Sequence, residues 1–280
     1  MNTLYLVATP IGNLEDITLR ALRVLKEVAL IAAEDTRTAR FLLAHFQIHT
    51  PVTSFFEHSH SQKLDAILGA LAGGDVAVIS EAGMPGLSDP GYELVRAALE
   101  RNIRVVPIPG ASAITTALVG SGLPTDQFVY LGFLPRQKSA RRKFLQAVAD
   151  EPRTLVAFEA PHRVRVALDD IAATLGDRQI CLARELTKMF EEFFRGTVEE
   201  ARIHFAQHAP RGEFTLVIAG RRTENRGQGT EKKETWNDAR VRKEMKKLSA
   251  RGLSRTDAAK QIARKAGRAK REIYQLSMNK

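Results

Sequence analysis

Short, continuous apolar runs alternate with stretches of helical periodicity along the first 220 residues, and this limits the fold more than any other feature. Leu4-Tyr5-Leu6-Val7-Ala8, Leu30–Ala33, Val76-Ala77-Val78-Ile79 and Val105-Val106-Pro107-Ile108 each read as a strand buried on both faces. Between them, Ile17, Ala21, Leu25 and Val28, then Leu64, Ile67, Leu68 and Leu71, fall at helical spacing. Asp16 is the expected N-cap of the first helix, and Asp89 with Pro90 the expected start of a later one. Such alternation predicts a mostly parallel sheet with helices on both faces.

Ser121-Gly122-Leu123-Pro124-Thr125 reads as a linker, and a second α/β set follows it. Its strands are expected near 127–131, 153–158, 178–184 and 214–219, and its helices near 138–149, 163–175 and 197–207. The sequence therefore predicts an α/β domain over 1–121 and a second over 122–220. A flexible linker is expected over 221–235 and a small basic helical domain over 236–280.

Three loops rich in Gly and Pro follow predicted strands: Thr9-Pro10-Ile11-Gly12-Asn13, Ser80-Glu81-Ala82-Gly83-Met84-Pro85-Gly86 and Pro109-Gly110-Ala111-Ser112-Ala113. Loops leaving the strand ends of a parallel sheet line one crevice, and ligands bind there. None of the three is G-x-G-x-x-G, and the chain contains no G-x-x-x-x-G-K-[ST]. They point to a ligand site without the usual phosphate cradle. Tight-turn geometry alone would also account for Gly83, Gly86 and Gly110.

Charge is placed unevenly. Residues 221–280 carry 19 Lys and Arg against 7 Asp and Glu, while the preceding 220 carry 23 against 25. A near-neutral body with a net +12 tail suggests an enzyme with an electrostatic grip on a polyanion. The tail reads as three helices: Val241, Met245 and Leu248 share a face of the first. Ser254-Arg255-Thr256-Asp257 has the form of a capping box for the second, which turns Ala258, Ala259, Ile262 and Ala263 inward. After a turn at Ala266-Gly267 the third carries Arg268, Lys270 and Arg271, giving a helix-turn-helix-like outline. A solvated basic bundle is the alternative. A second basic patch, Lys138, Arg141, Arg142 and Lys143, could equally be a solvated helix face.

A single cysteine, Cys181, excludes an intramolecular disulfide framework and reads as packing in a buried strand. No apolar run nears the roughly 20 residues of a membrane span. The N-terminus has no charged n-region, so a cytoplasmic protein is expected.

The segments VATPIGN (7–13), AAEDTR (32–37), SEAGMPGLSDPG (80–91), VVPIPGASA (105–113), GFLP (132–135), FEAPHR (158–163), ARELTK (183–188) and GEFTLVI (212–218) resemble, in this order, the ribosomal RNA small subunit methyltransferase I branch of the tetrapyrrole methylase superfamily. The resemblance spans about residues 3–220, with a weaker likeness in the basic tail. Glu81 and Met84 stand where the family usually has Asp and Thr, and Ala160 where Ser or Thr is more usual.

The resemblance implies two α/β domains with S-adenosylmethionine in the cleft between them, a homodimer, and methylation of a cytidine ribose 2′-hydroxyl in small-subunit ribosomal RNA or the assembled 30S subunit. It places Pro10, Ile11 and Gly12 beside the cofactor, with Glu81, Ala82, Gly83 and Met84 in a second cofactor loop. Ser112 and Ala113 open a helix toward the cofactor carboxylate. Phe133, Ala183, Phe214 and Thr215 are the expected adenine pocket. A ribose hydroxyl needs a base or a nearby cation, and Arg184, Glu185 and Lys188 are the expected catalytic group, with Arg184 and Lys188 on one side of a helical turn. Lys188 would lower the hydroxyl's pKa, or act as the base if desolvated. Glu34, Asp35 and Arg37, and Glu159, His162 and Arg163, are two further polar clusters that could be ion pairs or caps. No metal-ligand spacing is present, and RNA contact is expected at Arg142, Lys143, Arg268, Lys270 and Arg271. A methyltransferase acting on a tetrapyrrole macrocycle and a ligand-sensing DNA-binding regulator are the rival readings.

Overall fold

The computed structural model describes residues 2–55, 61–88, 91–221, 236, 238–250, 252–266 and 268–277. Two compact units divide it, Met1–Thr223 and Glu224–Lys280.

In the first unit, β1 (Thr3–Val7), β2 (Leu30–Ala33), β3 (Val52–Ser54), β4 (Val76–Ile79) and β5 (Arg104–Ile108) form an all-parallel sheet in the order β3-β2-β4-β1-β5. Helices α1 (Leu19–Glu27), α2 (Thr36–His45), α3 (Ser61–Ala70) and α4 (Tyr92–Glu100) connect the strands. Alternate strand residues serve opposite faces. Val7, Ile31, Ala33, Ala77 and Ile79 pack with α1 and α2, while Leu4, Ala32, Val76 and Val78 pack with Leu68 and Leu94. Both faces are covered, as the unbroken apolar runs require. β3, only three half-buried residues, carries too weak a pattern to be expected from sequence.

Thr18, not Asp16, caps α1: its hydroxyl accepts from Ala21 N–H at 3.0 Å. Asp16 belongs instead to a 3-10 turn over Leu14–Asp16 that Asn13 caps. Asp89 and Pro90 lie outside the described residues, as do 222–235 and Gly267.

α5 (Ala113–Gly120) follows β5. The second sheet contains β6 (Phe128–Phe133), β7 (Thr154–Glu159), β8 (Gln179–Arg184), β9 (Glu192–Thr197) and β10 (Phe214–Ile218), ordered β6-β7-β10-β8-β9. Only β6 and β7 run parallel; the other three pairings are antiparallel. The expectation of a mostly parallel sheet fails here because β8 and β9 are joined by a seven-residue hairpin loop, too short for a parallel crossover. β9 itself was not expected, since Glu192-Phe193-Phe194-Arg195-Gly196-Thr197 neither alternates cleanly nor forms an apolar run.

One face of this sheet packs against α6 (Lys138–Ala147), α7 (Val164–Leu175) and α8 (Val198–Gln207), around Leu145, Leu155, Leu168, Ile171 and Leu216. The other face, Val156, Cys181, Ala183 and Val217, is covered by Ile114, Ala117 and Leu118 of α5 and by Ile11. Burial raises the Cys181 thiol to about 11, which suits a packing role. The guanidinium of Arg195 on β9 donates to the carbonyl of Gly120 (3.0 and 2.5 Å), capping the C-terminal end of α5.

The second unit contains α9 (Asp238–Ala250), α10 (Arg255–Ala266) and α11 (Lys270–Leu276) around Val241, Met245, Ala258, Ala259, Ile262 and Ile273. Ser254 caps α10, its hydroxyl accepting from Asp257 N–H at 3.1 Å and donating to the Asp257 carboxylate at 2.5 Å.

Candidate active site

A cavity of about 610 Å³ opens where the loops after β1 and β4 and the start of α5 meet the edge of the second sheet. The first two loops are tied together: Thr9 N–H donates to Gly83 O (2.9 Å) and Gly83 N–H to Thr9 O (3.1 Å). Gly83 has φ +80°, a left-handed conformation that a side chain would strain. Glu81 N–H donates to the Glu34 carboxylate at 3.1 Å, bringing the segment after β2 to the same wall.

Of the expected cofactor residues, Pro10, Ile11, Gly12, Glu81, Ala82, Gly83, Met84, Ser112, Ala113, Phe133, Phe214 and Thr215 all line this cavity. Ala183 does not. It is fully buried on β8, beside the cavity-lining Thr215 of β10 in the same sheet and packed with Ile11 and α5. Ser112 is the N-cap of α5, but its hydroxyl makes no bond to the helix, leaving the first-turn N–H groups unclaimed by that side chain. Phe158, tilted against Phe133 with centroids 5.4 Å apart, adds a second ring.

The helical turn expected over ARELTK does not form. Residues 185–191 are the β8–β9 hairpin loop, with Glu185 and Thr187 at positive φ (50° and 67°). Arg184 is consequently drawn away from Lys188 and pairs with Glu192 at 2.8 Å. Lys188 lines the cavity, its Nζ held 3.1 Å from Glu185 and 3.0 Å from Glu213. Burial would lower its pKa, but the Glu213 and Glu185 carboxylates outweigh that and hold it above the ordinary lysine value. The two carboxylates thus favour the charged form of Lys188 in this structure. Burial likewise works against the Glu185 carboxylate, yet the Glu213 N–H and Lys188 keep its pKa below normal.

Glu213 escaped the sequence reading although it sits in GEFTLVI beside Phe214. Only the antiparallel return of β10 reveals that its carboxylate meets Lys188. Tyr130 also escaped the sequence reading: its hydroxyl lies 2.6 Å from that of Ser88, a cavity-lining residue 42 positions earlier, which ties the second loop to β6.

In the two polar clusters some members make structural bonds and others reach the cavity. Asp35 caps α2 and pairs with Arg37, whose hydrogen bonds pull its carboxyl down to about 2. Glu159 lines the cavity from a buried position. Burial raises its pKa, against the Ala160 N–H and Arg163, which also reaches the carbonyls of Leu134 and Pro135. His162 is exposed and off the lining.

The basic patch is partly consumed. Arg141 is buried and pairs with Asp170 at 2.6 Å, and Arg142, half-exposed, reaches the same carboxylate at 2.6 Å. Lys143 remains exposed. In the second unit Arg268 binds the Trp236 carbonyl, Asp238 and Glu272 and so holds its helices together, whereas Lys270 and Arg271 face solvent.

The donor set fits S-adenosylmethionine. The cavity pairs aromatic walls for a flat base with carboxylates for hydroxyl or ammonium groups, and a helix N-terminus for a carboxylate.

A family model described as Tetrapyrrole (Corrin/Porphyrin) Methylases matches residues 3–202. A protein of Synechocystis sp. named "Ribosomal RNA small subunit methyltransferase I" is 47% identical over 280 residues, covering 99% of this chain and 98% of that protein. A Bacillus subtilis protein of the same name is 41% identical, covering 98% and 93%. The solved uroporphyrin III C-methyl transferase from Thermus thermophilus shares the fold, with TM-score 0.55 and 21% identity over 78% of this chain and 97% of that one.

Proposed function

The chain belongs to the tetrapyrrole methylase family, and on that premise we propose that it methylates small-subunit ribosomal RNA from S-adenosylmethionine, at a cytidine ribose 2′-hydroxyl. The carrying observation is that proteins named as ribosomal RNA small subunit methyltransferase I match nearly the whole chain at 41–47% identity, basic tail included. The net +12 of residues 221–280 suits a phosphate backbone and has no evident use on a small macrocycle.

When bound, S-adenosylmethionine supplies an electrophilic methyl group on a sulfonium. The first-turn N–H groups of α5 would receive its carboxylate, Glu81 or Glu34 a ribose hydroxyl or the ammonium, and Phe133, Phe158 and Phe214 the adenine. The loops of Pro10–Gly12 and Gly83–Met84 set its depth, and with Leu186 they exclude water.

A hydroxyl resting at Lys188 Nζ becomes more acidic, because the ammonium stabilises its developing negative charge. Glu185 and Glu213, already at that Nζ, are the nearest acceptors for the leaving proton. Holding the two reacting atoms in line supplies much of the remaining acceleration. Phosphates are gripped by exposed Lys143, Lys270 and Arg271, with the homodimer and the cytoplasmic location belonging to the same reading. Among the described residues no helix is long and apolar enough to cross a membrane.

The test is transfer of labelled methyl to undermodified 30S subunits, followed by nucleoside mapping. Label recovered as 2′-O-methylcytidine supports the reading. Label entering a tetrapyrrole but not 30S RNA would overturn it.

A further inference from the structure

The tip of the β8–β9 loop spends apolar surface on water. Met189 is 90% exposed and Phe190 is 70% exposed, directly after Lys188 in the chain. Their placement is built. Arg184 and Glu192 close the base of the loop at 2.8 Å. Lys188 N–H donates to Glu185 O (3.0 Å), Glu191 N–H to Lys188 O (3.1 Å), and Thr187 N–H to the Glu191 carboxylate (2.7 Å). Thr187, β-branched and at φ 67°, adopts a conformation such residues rarely accept. A strained, cross-braced loop that ends in two solvated hydrophobic side chains is organised for a contact outside the molecule.

From this, and resting on the function proposed above, we infer that Phe190, with Met189 beside it, is a stacking platform for an unpaired nucleobase of the RNA. It positions the ribose whose hydroxyl meets Lys188. Phe190 is two residues from Lys188, so their Cα atoms lie within about 7.6 Å. An unstacked base presents a flat face that matches a single ring, and single-stranded RNA is recognised by such stacking. A second copy of the chain, which the proposed homodimer would supply, is the rival occupant, and the test separates the two.

The experiment uses the full-length protein with 30S subunits and a short single-stranded RNA as probe. Phe190→Ala should raise KM for the RNA by about 5- to 150-fold, the range of one lost stack, and leave the affinity for S-adenosylhomocysteine unchanged. Phe190→Tyr should retain function. Phe190→Trp should gain emission that the RNA quenches, beyond any change at the native Trp236 seen in the wild type. An unaltered KM in Phe190→Ala overturns the inference, as does unquenched emission in Phe190→Trp while methyl transfer to 30S RNA proceeds normally. An emission change that follows protein concentration without RNA marks a self-association surface, and also overturns it. Quenching by RNA from a protein that methylates no ribosomal RNA would support the platform while removing the proposed substrate.

Discussion

Gly12 and Lys188 compete for one volume: a Cβ on Gly12 would stand 3.0 Å from Lys188 Cε and overlap its Cγ. The loop after β1, at the carboxyl end of the parallel sheet, is therefore shaped around a cation delivered by the β8–β9 hairpin of the other. Gly12→Ala should push Lys188 off Glu185 and Glu213. Methyl transfer is expected to fall at least tenfold, and urea unfolding to register overpacking of about 1–3 kcal/mol.

Removing the cation itself tests the chemistry. Lys188→Met should lower kcat by about 10²- to 10³-fold, the scale of one lost oxyanion donor. Binding of S-adenosylhomocysteine by calorimetry should change far less.

The Lys188 ion pairs also set a pH dependence. Its folded-state pKa is raised, so the stability it contributes is complete below the unfolded value of about 10.4 and disappears as pH climbs through the folded value. The Tm gap between wild type and Lys188→Met should stay constant from pH 6 to 9 and close above pH 10. The activity profile should show no limb from this lysine near neutrality.

Asp170 serves two guanidinium groups, one of them the buried Arg141. Asp170→Ala leaves Arg141 as an unpaired buried charge, and a loss of about 3–5 kcal/mol is expected in denaturant unfolding. The cavity, lined by other elements, should still take up the cofactor product at temperatures where the variant is folded.

Truncation before residue 224 should weaken RNA binding and flatten its salt dependence while cofactor binding persists. Lys270→Ala and Arg271→Ala should each reduce the slope of log K against log salt by about 1. Arg268→Ala should act differently, loosening the three-helix unit in hydrogen exchange, since its partners are Asp238, Glu272 and the Trp236 carbonyl.

The parallel sheet was legible because each of its longer strands is an apolar run and each connection has helical period. The loops were legible because Pro and Gly punctuate them, and their residues do converge on one cavity. What stayed hidden depends on pairing across sequence. The antiparallel β9 has no period of its own, and Glu213 meets Lys188 only through the β10 return. Ala183 lies on the sheet face covered by α5 and Ile11 rather than at the opening. Arg268 and Arg141 looked like surface charge because a sequence does not display which carboxylate will stand opposite.

α5 enters from the parallel layer but lies on the antiparallel one, anchored at its far end by Arg195. The covalent bridge between layers is thus Pro109-Gly110-Ala111-Ser112, with Gly110 pressed so closely on Ala8 that an added Cβ would stand 2.8 Å from the Ala8 methyl. The helix end proposed to receive the ligand's carboxylate and the hairpin bearing Lys188 therefore rest on the same antiparallel sheet, while Pro10 and Gly83 reach the cavity from loops of the parallel one.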